Sequence, residues 1–423
     1  MLQVNVLRQK TAWAKERLAV RNFKQPDLVD EIIALDDERK KLQAEFDSLQ
    51  SKINASSKDI GKLIASGKKE EAEQLKASIA GWKTSLEPIK KKASETETVL
   101  ENTILLLPNL PHQSVPKGTS AEDNEIVKEG GNKPELFANA LPHWELAQKY
   151  KLIDFDLGTK ITGSGFPVYT GRGAKLQRAL IQYFLDYNTG EGYTEIIPPF
   201  MVNENSAFAT GQLPDKEGQM YYVNEDKFYL IPTAEVPVTN IYRDTILKAE
   251  ELPVKMTAYS PCFRREAGSY GKDVRGLNRL HQFEKVEIVQ IVEAEKSYQV
   301  LEEMVSHIEQ LLQSLLLPYR ILRLCGGDMG FTSALTYDFE VYSAAQKRWL
   351  EVSSVSNFET YQSNRLKCRY KDEVGKNQLV HTLNGSSLAL PRIMACLLEN
   401  NQTENSIQLP LVLYKYFGAG SID

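Results

Sequence analysis

The residues able to do chemistry gather beyond residue 170, in three stretches. The first, CFRREAGSYGKDVRGLNRLHQFEKVEIVQ, covers residues 262–290. It reads as a hairpin placing Arg264 and Glu266 on one strand face, followed by a Gly-rich loop and then Arg279 and Phe283 entering a second strand. Guanidinium groups suit phosphate through bidentate hydrogen bonds, a carboxylate accepts from an exocyclic amine, and an aromatic ring stacks on a base. These types at this spacing would hold a nucleotide, although an exposed ion-paired hairpin would carry the same residues. The second stretch, LNGSSLALPRIMACLLENNQ, is a strand end running into a helix with Arg392 just inside it. Helix N-termini bind anions, yet one arginine there equally suits a plain surface. The third, GRGAKLQRALIQYFLDYNTGEGYTEIIPPFM, reads as a helix, a Gly-containing turn and a β-branched strand ended by Pro198 and Pro199. Its Gly171-x-Gly173 is too short a signature to signify nucleotide binding.

A 423-residue chain exceeds one hydrophobic core, so two domains are expected to hold these residues. From Leu28 the apolar positions 28, 32, 35, 42, 46, 49, 53 and 60 follow alternating steps of four and three, with Arg39 and Ser56 at the skipped positions. After Ser66-Gly67-Lys68-Lys69 the rhythm resumes at 72, 75, 79, 82, 86, 89, 93 and 100, missing only Thr96. Two matched heptad seams about a short loop predict an antiparallel helical hairpin over about 27–100. Neither helix shows a second apolar face, so the hairpin should pair with itself. Pro88 should kink its second helix. Lys58, Lys62, Lys68 and Lys69 cluster near the tip, where they would neutralise RNA phosphates or form a solvated charged face. Between about Asn102 and Asp156 the composition turns to Pro, Gly and polar residues and reads as a linker.

Composition narrows the classes. With 42% hydrophobic and 25% charged residues the chain is of ordinary globular type. A net charge of -5 argues against nonspecific coating of nucleic acid. No apolar run reaches membrane-spanning length and the N-terminus lacks a signal-like apolar segment, so a cytoplasmic location is expected. Cys262, Cys325, Cys368 and Cys396 lie far apart and form no C-x-x-C pair, which suggests reduced thiols and no zinc cluster.

The three stretches together resemble the motifs of class II aminoacyl-tRNA synthetases, in order. Gly192-Tyr193, Ile196, Pro199, Phe200 and Met201 match motif 1; Phe263-Arg264-Arg265-Glu266 with Arg279 and Phe283 match motif 2; Leu388 to Glu399 around Arg392 match motif 3. Within that class the whole chain resembles seryl-tRNA synthetases of bacterial type, through Pro108-Asn109, HWELAQKYKLIDFD, ITGSGF, PTAEVP, GGDMGFTSALTYDFEVY and EVSSVSNFETYQ. The resemblance implies an α+β chain: residues 1–110 as a tRNA-binding domain with the two-helix coiled-coil arm, and 111–423 as a catalytic domain with a mainly antiparallel sheet flanked by helices. It also implies a homodimer, ATP-dependent activation of L-serine, and transfer to tRNA(Ser), with tRNA(Sec) compatible as a second acceptor.

By the same resemblance Arg264 and Arg392 are the catalytic arginines, on the α-phosphate with the substrate carboxylate and on the terminal phosphate. Glu266 meets the adenine amine, Phe283 its face, and Arg279 completes the phosphate clamp, with Arg265, Leu280, Val352 and Ser353 as further nucleotide neighbours. Glu351 and Ser354 match the family's metal ligands, for Mg2+ rather than zinc. Thr233, Ala234 and Glu235 meet the serine ammonium, Glu287 and Ser387 line the side-chain end, and Asn384 lies nearby. Pro391, Phe358 and Asn364 depart from residues common among relatives. A relative that loads a carrier protein would lack the long hairpin, and a noncatalytic paralogue would typically lose the motif arginines that are present here.

Overall fold

The computed structural model describes residues 1–266 and 275–423, which form two units. The first comprises residues 1–19 and 23–108, the second residues 20–22 and 109–423. The Gly-rich loop expected between Glu266 and Arg279 falls largely at 267–274, outside the described residues.

In the first unit, α1 (Val4–Gln9) and α2 (Thr11–Val20) precede α3 (Leu28–Ala65) and α4 (Lys69–Ile104). The heptad seam is where burial falls: Ile32, Leu42, Ile53, Ala72, Ile79, Leu86 and Leu100 are buried between α3 and α4. Thr96, the skipped heptad position, is buried too. Lys52 caps the seam by placing its ammonium 4.2 Å from the Trp82 ring centroid. α4 continues through Pro88. Near the base the hairpin does not pair only with itself, because α1 also packs on α3. Buried Asp36 there accepts from Arg8 at 2.9 Å and Arg39 at 2.8 Å, with the Lys40 ammonium 2.7 Å away. Burial alone would raise its pKa, but those three cations hold it down at about 2. At the other end Lys62 and Lys68 are exposed, paired with Asp59 and Glu71 on their own helices.

The second unit is built on an eight-stranded sheet. In chain order its main elements are β1 (Glu125–Gly130), α5 (His143–Lys149), α6 (Gly171–Gly190), β2 (Thr194–Glu195), α7 (Glu235–Asn240), β3 (Val254–Phe263), β4 (Gln282–Val292), α8 (Ser297–Ser314), β5 (Tyr319–Arg323), β6 (Leu335–Ser343), β7 (Arg348–Asn357), β8 (His381–Ala389) and α9 (Leu390–Asn400). The sheet order is β1–β5–β6–β7–β8–β4–β3–β2, antiparallel throughout except for the β2–β3 pair. Leu176, Leu180 and Phe184 of α6, spaced four apart, pack with Ile308, Leu311 and Leu312 of α8 and Leu397 and Leu398 of α9 on one face of the sheet. A smaller apolar cluster, including Ala234, Met256 and Val289, lies apart from that core.

Two expectations are corrected here. Residues 102–156 are no mere linker: α4 extends to Ile104, Glu125–Gly130 is the edge strand of the large sheet, and Asn109 is buried, its amide donating to the carbonyls of Thr332 and Phe358, each at 2.9 Å. The Pro- and Gly-rich composition reflects tight turns between short paired pieces. Likewise Arg264 and Glu266 do not share a strand face, because β3 ends at Phe263 and Glu266 adopts a positive φ of 48°. Arg21, in the second unit, gathers the carbonyls of Asn109, Ser333, Met329 and Gly330 around one half-buried guanidinium. Burial lowers its pKa to about 10, which leaves it charged at neutral pH.

Candidate active site

The ends of β3, β4, β7 and β8, with α7 and the start of α9, enclose a polar trench of about 540 Å³. Its composition follows from strand alternation: the core face of β4 takes Val286 and Ile288, while Phe283, Lys285 and Glu287 line the trench.

One end carries arginines. Arg264 follows β3; its backbone N–H donates to His281 at 2.9 Å, its Nε to the Pro232 carbonyl at 3.4 Å, and its guanidinium lies 5.2 Å from the Phe283 ring centroid. Arg279 pairs with Glu266 at 3.1 Å. Arg392, in the first turn of α9 beside Pro391, donates to the Asn278 carbonyl at 3.1 Å and the Glu351 carbonyl at 2.7 Å, with the Glu351 carboxylate 3.7 Å away. Pro391 suits a first helical turn because its missing N–H would have no helical partner there. Leu280, Val352 and Ser353 complete this wall.

The other end is a buried acidic pair. Glu287 and Glu235 are 1% and 7% exposed. Lys285 lies 2.6 Å from Glu287 Oε2, which also accepts from the Thr233 hydroxyl at 2.8 Å. Asn384 donates to Glu287 Oε1 at 2.7 Å and to Glu235 Oε2 at 3.2 Å, and Gln362 donates to Glu235 Oε1 at 2.6 Å. The Thr382 hydroxyl in turn orients Gln362 at 2.7 Å. Burial, and then the neighbouring Glu287, push the Glu235 carboxyl up to about 7.

Beside the arginines, Glu351 and Ser354 line the trench on β7. Ser354 sits opposite Asp338 of β6, whose Oδ1 is buried without a hydrogen-bond partner. Burial and then Glu351 raise the Asp338 carboxyl well above its usual range. A carboxylate and a hydroxyl backed by an unsatisfied carboxyl oxygen form a hard-oxygen donor set that suits Mg2+. Among the described residues no three His, Cys, Asp or Glu side chains converge as a metal-binding group, and the four cysteines are buried as free thiols.

Fourteen of the residues anticipated from sequence thus meet around one trench, whereas three lie elsewhere. Ser387 faces away: it is fully buried and donates to Asn188 at 2.9 Å, while Ser386 takes the trench position. Ala234 is buried in an apolar cluster beneath α7. Arg265 leaves the nucleotide side, its backbone bonded to Gln219 and its guanidinium 5.5 Å from the Tyr221 centroid. Sequence reasoning missed Lys285 and Gln362, and Phe358, set aside as a mere departure, forms part of the wall. The signal for Lys285 was its i, i+2 spacing to Glu287 on one strand face.

Residues 220–401 match the family model of the tRNA synthetase class II core domain (G, H, P, S and T). With the antiparallel sheet and its arginine-lined trench, this defines the second unit as the catalytic core of a class II aminoacyl-tRNA synthetase. Residues 1–111 match the seryl-tRNA synthetase N-terminal domain. The serine–tRNA ligase of Salinibacter ruber is 50% identical over 424 residues, covering 100% of this chain and 99% of its own. The crystal structure of seryl-tRNA synthetase from Pyrococcus horikoshii complexed with ATP superposes with a TM-score of 0.93 at 31% identity, covering 100% of this chain and 99% of that one. The cytoplasmic serine–tRNA ligase of Naegleria fowleri in complex with AMP gives 0.89 at 25%, with the same coverage. The chain belongs to the seryl-tRNA synthetase family, whose reaction is the ATP-dependent activation of L-serine to seryl-adenylate and its transfer to tRNA(Ser).

Proposed function

We propose that the trench divides this reaction by charge, with ATP at the arginine end and serine at the acidic end. The observation that carries the reading is the gathering of Arg264, Arg279 and Arg392 and of Glu235, Glu287 and Lys285 around one trench. Adenine stacks on Phe283 with its amine toward Glu266, the α-phosphate and serine carboxylate share Arg264, and Arg279 and Arg392 hold the outer phosphates. The serine ammonium meets Glu235 and Thr233; its hydroxyl meets Glu287, already oriented by Asn384 and Lys285.

Adenylate formation then needs little acid–base chemistry. The serine carboxylate oxygen attacks the α-phosphorus, the bond to the bridging oxygen breaks, and pyrophosphate leaves. Arg264 neutralises the charge on the reacting oxygens while the two ends hold the reactants in line. Glu351 and Ser354 would hold Mg2+, which supplies further charge neutralisation on the phosphates when bound.

The helical arm supplies the tRNA contact, through Lys58, Lys62, Lys68 and Lys69. Such ion pairs as Lys62 makes with Asp59 are weak at a surface and exchange readily for phosphate. Because phosphate contacts carry little base information, the same surface suits tRNA(Sec) as a second acceptor. A homodimer through the motif 1 segment fits the exposure of Ile197, 85%, and Met201, 49%, beside the edge strand β2. No helix among the described residues is long and apolar enough to cross a membrane, in keeping with a cytoplasmic enzyme.

Three outcomes follow from this reading. Arg264→Ala should reduce ATP–pyrophosphate exchange to less than about a tenth of wild type while the thermal unfolding midpoint holds, as loss of a transition-state contact requires; exchange above that level removes Arg264 from the role. With its carboxyl pushed up to about 7, Glu235 must release a proton to receive an ammonium below that pH and none above it. Serine affinity, measured calorimetrically from pH 8 to 6, should therefore weaken as pH falls, approaching about tenfold per unit below the pKa. A flat profile contradicts ammonium binding at Glu235. Deleting residues 28–100 should leave serine-dependent exchange within about threefold of wild type but abolish charging of tRNA(Ser), since only the second step uses the arm; retained charging refutes the arm's assignment.

A further inference from the structure

Away from the reacting atoms, a polar network joins three segments that the reaction itself does not account for. His143, at the start of α5, and Glu399, near the end of α9, are both fully buried. His143 Nδ1 lies 2.7 Å from Glu399 Oε1, and the His143 backbone N–H donates to the same oxygen at 2.9 Å. A proton on Nδ1 toward the carboxylate leaves Nε2 as an acceptor, and it receives the Leu277 backbone N–H at 2.8 Å. Gln346, on the turn between β6 and β7, donates to Glu399 at 3.0 Å and accepts from Asn278 at 3.1 Å. Ser343 donates to the second Glu399 oxygen. The neighbouring Arg275 lies 4.6 Å from the Trp144 ring centroid.

The limb from Arg275 to Leu280 is therefore seated on the imidazole. Gly276, at φ +65°, permits the approach, because a Cβ there would come 2.3 Å from His143 Nε2. The limb delivers Arg279 and Leu280 to the trench, and the Asn278 carbonyl accepts from Arg392. Glu399 and Arg392 lie two turns apart on one helix, so His143 ties the two arginine-bearing segments to a common support. Packing alone would be served by an apolar side chain, whereas a buried carboxylate hydrogen-bonded to an imidazole is retained at a desolvation cost. Its acceptor nitrogen also satisfies a buried backbone N–H that would otherwise be orphaned.

We propose that His143, oriented by Glu399, is a positioning residue for ATP that fixes limb 275–280 against α9, so that Arg279 and Arg392 hold the outer phosphates together. The proposal rests on the assignment of these two arginines to ATP, and the test separates the two. In the full-length protein, His143→Asn keeps a donor toward Glu399 and removes the acceptor for Leu277. ATP–pyrophosphate exchange should show the KM for ATP raised about tenfold, the consequence of losing one buried hydrogen bond. The KM for serine should stay within about twofold and the thermal midpoint within a few degrees. Gln346→Ala, on a half-buried turn, should move the ATP KM about threefold in the same direction, and it decides the matter if His143→Asn does not fold. Arg279→Ala is measured in parallel. If it raises the ATP KM while folded His143→Asn or Gln346→Ala leaves it unchanged, the positioning role is overturned and the ATP assignment stands. If Arg279→Ala has no effect, both fall. Equal rises in the ATP and serine KM for His143→Asn would also overturn the proposal, since they mark general loss of site structure.

Discussion

Two carboxylates share a nearly dry space between β4 and α7, and the rest of the second unit is arranged so that they can. Unpaired, buried charges of one sign would cost several kcal/mol. Lys285, Thr233, Asn384 and Gln362 meet that cost, and each comes from a different strand, loop or helix. The sheet register is therefore strict. Glu287 faces Ser386 across β8 and Ala258 across β3, and the alternation of β4 turns both Lys285 and Glu287 into the trench. On the proposed reading serine completes the balance, its ammonium supplying the positive charge that Glu235 lacks.

The two ends differ in how firmly they are made. Breaking a buried pair such as Lys285–Glu287 is worth about 3–5 kcal/mol, whereas a solvent-facing pair such as Arg279–Glu266 is worth about 1 kcal/mol or less. The acidic end is thus preformed, while the arginine end is held by partners that phosphate would displace at little cost. What keeps the arginine end in place is the backbone beneath it, including the Asn278 carbonyl and the limb seated on His143.

The arm was legible because its seam obeys spacing alone: every buried seam position named above except Thr96 follows from steps of three and four. Its contact with α1 was not, since Arg8 and Asp36 look like ordinary surface charges in a charged helix. In the catalytic unit, Arg264, Glu266, Phe283 and Arg392 were legible through motif resemblance, and the structure does gather them. Ser387 and Ser386 show the limit. Adjacent strand residues point to opposite faces, and which one looks inward depends on a register that one strand's sequence does not contain. Residues 102–156 misled for a related reason, because a strand pairing across roughly 200 residues leaves no local periodicity. His143 carried no signal beyond being a histidine, since its partners Leu277 and Glu399 are distant in the chain.

The central claim is that a charge-balanced, preformed polar pocket selects serine by its hydroxyl and ammonium together. ATP–pyrophosphate exchange with each of the twenty amino acids tests this most directly. Exchange with serine alone is the expected result, with alanine lower by about four powers of ten because Glu287 and Asn384 would lose their partner. Exchange with alanine within tenfold of serine would contradict the claim and leave the pocket's polar lining without its assigned task.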